Sequence, residues 1–160
     1  MERVNRICKH PLWRDNLEKI QELEQDRIFC CHTIEHFLDV ARIAYIEDLE
    51  KNLHLSKESI YAAALLHDIG RYLQYTQGIP HEEGSVQIAK EILKECGFEQ
   101  EEQEEILSAI QGHRKQKIAF ADDLAGVLYR ADKKSRNCAF CTAFQECHWD
   151  REKKNLVITV

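Results

Sequence analysis

An all-α single domain is the fold class this sequence predicts, and three observations carry the prediction. The 160 residues fit one compact domain spanning 1–160. Only 6 Gly and 2 Pro are available to make turns, too few for a sandwich or barrel. Apolar residues recur at helical spacing through most of the chain. Together they predict a bundle of about six or seven helices around one core. A composition of 44% hydrophobic and 31% charged residues is that of an ordinary soluble globule.

The elements follow in order. His10-Pro11 opens a helix, since proline tolerates the first turn, and Leu12, Leu17, Ile20 and Leu23 carry it to about Asp26. A second runs from about His32 to Leu53 on Ile34, Phe37, Leu38, Ala41, Tyr45 and Leu49. Ser56 caps the third, whose stretch Ile60 to Leu66 is apolar on nearly every side and so belongs at the centre; Gly70 ends it. After a turn at Gly78-Ile79-Pro80, a fourth carries Val86, Ala89, Ile92, Leu93 and Cys96 and stops at Gly97. The fifth spans about Glu99 to Gly112, and its acidic opening suits a solvated face at the positive end of a helix dipole. The sixth, about Asp122 to Ser135, buries Leu124, Val127, Leu128 and Ala131. The tail Leu156 to Val160 has β character and no evident partner.

Charge narrows the function. With 28 acidic and 22 basic side chains the net charge is −6, and no basic stripe exists to neutralise a long nucleic acid. A single nucleotide or small phosphate ester stays open, because a local cationic or metal site can outweigh the sign of the whole surface. No apolar run reaches the roughly 18–20 residues needed to cross a bilayer, and Met1 to Arg14 lacks a secretory core. Seven cysteines without such a signal are expected as thiols or metal ligands in a reducing cytoplasm.

Buried polar residues carry the chemistry. His67-Asp68 ends the most apolar helix, where an ionised carboxylate needs a cationic partner, either a salt bridge or a metal. His36 lies on a stripe with Val40 and Ile43; His81 begins the face that continues through Ser85, Ala89, Ile92 and Cys96. His113 shares a face with Ile106, Ala109 and Ile110, and Asp132 with Leu124, Leu128 and Ala131. One inward histidine is ordinarily a satisfied core residue. Four, joined by two aspartates from separate helices, make the donor set of a divalent transition metal. A carboxylate shared by two ions about 3.5–4 Å apart would activate water for attack on phosphorus.

These residues resemble the HD superfamily of metal-dependent phosphohydrolases. His36 with Val40-Ala41, the segment Leu65-Leu66-His67-Asp68-Ile69-Gly70-Arg71, and Ala131-Asp132-Lys133 are similar to its ordered His, His-Asp and Asp motifs across about 32–135. His81 and His113 match the additional pair of the binuclear subset. The resemblance implies two ions among Fe, Mn, Zn, Co or Ni: one held by His36, His67 and Asp132, the other by His81 and His113, with Asp68 between. It also implies phosphate contact by Arg71, where many relatives carry Lys, and a similar role for Lys133; His32, one turn before His36, is placed to line the pocket or orient a ligand. The chain departs from the cyclic-dinucleotide branch, because Arg114 follows His113 and no Gly-Tyr-Pro signature appears downstream.

The activity implied is hydrolysis of a nucleotide or other small phosphate ester. A diadenosine polyphosphate is one substrate by analogy, although no residue identifies adenine. The alternatives are a di-iron oxygenase on the same ligands and a non-catalytic nucleotide-binding module, whose usual sign, missing ligands, is absent. Beyond the bundle, an appendage of about 136–160 carries Cys138, Cys141 and Cys147. Their spacing suits structural zinc or an iron–sulfur site lacking its fourth ligand, with His148 or Cys8 as candidates, or else reduced thiols packed near Phe140 and Trp149.

Overall fold

A computed structural model describes residues 1–159. Its helices are α1 (Glu2–Lys9), α2 (Pro11–Leu23), α3 (Ile34–Lys51), α4 (Lys57–Leu66), α5 (Arg71–Gln77), α6 (His81–Glu95), α7 (Gln100–Gly112) and α8 (Leu124–Lys134). Among the described residues no strand forms, so the all-α expectation holds. Seven of the helices have eight residues or more; α5 has seven. The stretch 156–159 is irregular, and Val160 lies outside the described residues. Among the described residues no helix is long and apolar enough to cross a membrane.

α4 is the axis of the bundle. Ile60 and Ala62 to Leu66 are all buried, and the three consecutive alanines let α1, α3, α6, α7 and α8 come close around it. Ser56 Oγ accepts from Ser59 N at 3.3 Å and caps its start, as the sequence predicts. From α2, the Trp13 indole N–H donates to the Leu65 carbonyl at 2.9 Å, satisfying both groups inside the core. The turn between α3 and α4 is set by Asn52 in the left-handed region (φ 53°) and by Asp48, whose Oδ1 accepts from Leu55 N at 2.9 Å.

Two ion-pair systems fasten the outer helices. Buried Glu47 of α3 accepts from Arg130 Nε at 2.6 Å and Lys134 Nζ at 3.1 Å, both on α8. Burial works against this carboxylate, but those cations outweigh it and lower its pKa. On α1, Arg3 bridges Glu58 of α4 (2.7 Å) and Glu102 of α7 (2.9 Å to Oε1). Glu99 and Glu102 also form a reciprocal capping box, so part of the acidic run has a structural task beyond solvation.

The third helix stops at Leu66 rather than Gly70, and His67 to Gly70 form a hydrogen-bonded turn before α5, with Arg71 N donating to the Asp68 carbonyl at 3.0 Å. Gly70 marks a crossing. A Cβ there would lie 2.2 Å from Ser85 N and 2.4 Å from the Gly84 carbonyl carbon, while Gly70 N donates to Ser85 Oγ at 2.9 Å. This approach brings the first turn of α6, and His81 with it, beside Asp68. Gly70→Ala should therefore destabilise the fold by about 1–3 kcal/mol, measured by urea unfolding. An unchanged midpoint would show that the turn and α6 can separate without cost.

Candidate metal centre

The six predicted ligands converge although they come from five places in the bundle: His36 in the first turn of α3, His67 and Asp68 after α4, His81 opening α6, His113 closing α7, and Asp132 on α8. All are buried except His36, which is partly so. Asp68 stands at the centre with its two oxygens turned to different partners. Oδ2 is 3.2 Å from His67 Nε2 and 3.9 Å from His36 Nε2. Oδ1 is 3.1 Å from His81 Nε2 and 3.6 Å from His113 Nε2. Asp132 Oδ1 closes the first side, 3.8 Å from His67 Nε2 and 3.9 Å from His36 Nε2. Two groups that could hold an ion result, His36/His67/Asp68/Asp132 and Asp68/His81/His113, each with ligand atoms within 4.8 Å of one another.

Hydrogen bonds on the outer ring nitrogens aim the inner ones. His67 Nδ1 donates to the Ala64 carbonyl at 2.7 Å and His113 Nδ1 to the Ile110 carbonyl at 2.6 Å. His81 Nδ1 donates to Gln74 Oε1 at 2.9 Å, an oxygen that Arg71 Nη1 also reaches at 3.3 Å. With Nδ1 carrying the proton, a neutral ring presents its Nε2 lone pair inward. The Nε2 atom of His36 is buried without a hydrogen-bond partner, a costly arrangement that a cation would relieve. His81 and His113 bring their Nε2 atoms to 3.3 Å, setting two lone pairs against each other. The donors fit a divalent transition metal in type and direction.

Electrostatics point the same way. Burial presses His67 down, but the charge of Asp68 and hydrogen bonds to Asp132 and Asp68 outweigh it and raise the imidazole to about 10. Burial and the neighbouring His67 lower His36 to about 3, and burial lowers His81 to about 3. Both carboxyls stay well below their ordinary range: burial opposes ionisation, but His67 and Arg71 at Asp68, and His67 and Lys133 at Asp132, overcome it. These charges keep both carboxylates ionised and His67 an imidazolium.

Arg71 Nε donates to Asp68 Oδ1 at 3.2 Å, and Lys133 Nζ donates to Asp132 Oδ2. His32 sits 3.4 Å from Asp68 Oδ2 through Nε2 and 2.6 Å from Glu24 Oε1 through Nδ1. Glu24, Gln74, Tyr75, Ser135 and Arg136 are absent from the sequence-derived site. Glu24 also receives the His32 backbone N–H at 2.6 Å and the Tyr75 hydroxyl at 2.5 Å. Burial opposes its charge, but these donors hold it at about 2. Ser135 Oγ lies 3.4 Å from His36 Nδ1, and Arg136 Nη2 lies 3.7 Å from Asp132 Oδ2. The one sequence signal for these groups is spacing from a ligand or from Arg71, such as Arg71 to Gln74 on one helix face.

The remaining candidates lie elsewhere. Cys138, Cys141 and Cys147 line a separate cavity of about 330 Å³, together with Cys30. Neither proposed fourth ligand lines it: Cys8 is on α1 against the main core, and His148 sits edge-on to Phe29 with ring centroids 6.4 Å apart.

An HD domain family model matches residues 33–137, the interval that carries all six converging side chains. An uncharacterized protein of Clostridium beijerinckii is 46% identical over 158 residues, covering 99% of each chain. The crystal structure of a predicted HD superfamily hydrolase from an uncultured Thermotogales bacterium superposes with a TM-score of 0.62 at 25% identity, covering 88% of this chain and 80% of that one.

With His67 raised to about 10, an ion that takes its Nε2 must displace a proton at any lower pH. Apparent metal affinity should therefore rise with pH below that value, by about tenfold per unit for one proton released. Calorimetric titration at pH 6.5 and 7.5 in buffers of different ionisation enthalpy checks both the affinity change and the released proton; pH-independent affinity would contradict the charge arrangement.

Proposed function

The chain belongs to the HD domain family, and from that premise we propose that it is a metal-dependent phosphohydrolase acting on a nucleotide or another small phosphate ester. One observation carries the reading. Asp68 offers Oδ2 to one ligand group and Oδ1 to the other, as a carboxylate shared between two ions requires. His36, His67 and Asp132 would hold one ion, His81 and His113 the other, and Asp68 both. Bound there, divalent ions would acidify a water and neutralise phosphoryl charge.

The chain's own residues supply the rest. Gln74, Ala64 and Ile110 fix the ring orientations of His81, His67 and His113, so the donors need little rearrangement as charge develops. Arg71 and Lys133 now lean on the ligand carboxylates. With ions held at Asp68 and Asp132, these two side chains would be the cations available to phosphoryl oxygens. Arg71 can grip two oxygens through its planar fork, whereas Lys133 acts as a point charge. His32, held by Glu24, lines the side of Asp68 opposite His81 and orients substrate or water. The substrate is small and phosphorylated, and the place of action is a reducing cytoplasm, which the seven free cysteines support.

A panel of phosphate esters and nucleotides, assayed with Mn, Fe, Co, Ni or Zn, tests the proposal. Turnover should require added or copurified metal. Asp68→Ala should lose metal and activity together, whereas Arg71→Ala should keep its metal and lose about 10²-fold in kcat/KM. Unchanged turnover in Asp68→Ala would reject the mechanism. Oxygen uptake with an organic substrate, without ester hydrolysis, would assign the site to oxygenase chemistry instead.

A further inference from the structure

The appendage after α8 poses a problem that the bundle does not solve. Residues 136–159 contain only two short 3₁₀ turns, Cys138–Phe140 and Arg151–Lys153, and of the buried core hydrophobics only Ala143 falls among them. Side-chain amide and ammonium groups hold its backbone: Asn155 Nδ2 donates to the carbonyls of Lys133 (2.6 Å) and Arg136 (3.0 Å), and Lys154 Nζ to those of Phe144 (2.9 Å) and Cys147 (3.3 Å). Segments with so little core ordinarily need a covalent or metal staple. All the cysteines are free, so no disulfide provides one.

We propose that Cys30, Cys138, Cys141 and Cys147 ligate an iron–sulfur cluster. The four thiols, from segments more than a hundred residues apart in sequence, line one cavity of about 330 Å³ with Phe29 and Phe144. Desolvation raises the Cys30 thiol and the Arg136 charge opposes it, with further raising contributions from the Cys138 and Cys141 thiols. Size decides between one ion and a cluster. Around a single zinc at about 2.3 Å, tetrahedral sulfurs stand only about 3.8 Å apart. Among the described residues no three of these sulfurs lie within 4.8 Å of one another, so the thiols stand wider than one tetrahedral ion draws them. Four cysteines spread around a cavity are the ligand set of a polynuclear cluster. Ligation would release the four thiol protons, and Lys154 on the cavity wall, with Arg136, whose charge acts on Cys30, would offset the negative charge. The cluster would tie the segment leading into His32 to the segment leaving Asp132 and Arg136, on two sides of the metal centre.

The assay is acid-labile sulfide in the full-length protein, purified anaerobically and reconstituted with sulfide, ferric iron and dithiothreitol, whose oxidation to its disulfide supplies the electrons that bring part of the iron to the ferrous state. Sulfide is diagnostic where iron is not, because iron can also bind at Asp68. At least stoichiometric sulfide with broad visible absorption is expected. It should persist in Asp68→Ala and Cys8→Ser and disappear in Cys30→Ser and Cys141→Ser, while helical circular dichroism reports whether each variant folds. Wild-type protein with no sulfide, or with one zinc in its place, would overturn the proposal even if a variant failed to fold. Sulfide retained in folded Cys30→Ser and Cys141→Ser would overturn the ligand assignment.

Discussion

An ionised carboxylate cannot remain alone in an apolar interior, and the position of Asp68 imposes that constraint on the whole molecule. It follows directly on a helix whose last residues are fully buried, and its own exposure is 2%. Four imidazoles and a guanidinium face its oxygens within 4 Å, and His32 makes a fifth imidazole. Five neutral rings would compensate it poorly. Within the chain itself the His67 imidazolium and the Arg71 guanidinium supply positive charge to it, each of lower charge density than a divalent ion.

The bundle exists in a form that meets this constraint. Small residues in α4 allow close approach from every side, and the missing side chain at Gly70 lets α6 start beside Asp68. The histidines need no long polar networks, because their outer nitrogens bind backbone carbonyls one turn back or the Gln74 amide. The Glu47 cluster then holds α8, and so Asp132, against α3 and His36. The scaffold is thereby pre-organised along α3, α4, α6, α7 and α8, and rigid helices rather than loops fix the donor directions.

Much of this was legible in the sequence for a physical reason. A polar residue that ends an apolar helical face must point inward, so His36, His67, His81, His113 and Asp132 declared themselves one by one, and the HD-type order of motifs tied them together. What depends on distant partners did not declare itself. Gly70 looked like a helix stop, whereas its task is to admit the backbone of α6. Glu24 and Glu47 sit among charged neighbours and carry no sequence signal of burial, yet both are buried against cations or donors from other elements. Helix α1 buries Val4 and Ile7 in the core with Cys8 packed beside them, too short a pattern to recognise. Leu23 and Leu49, at the ends of clear apolar repeats, are exposed because the repeats outrun the surfaces they cover. Cys30 could not be matched to Cys138 and Cys141 without the fold that closes the intervening chain.

The central claim is that Asp68 is shared between two ions, and anomalous X-ray scattering tests it most directly. Crystals of protein loaded with manganese or zinc, measured across the absorption edge, should show two peaks about 3.5–4 Å apart, one beside Asp68 Oδ2 near His36, His67 and Asp132 and one beside Oδ1 near His81 and His113. A single peak at saturating metal, or metal bound without contact to Asp68, would contradict the account.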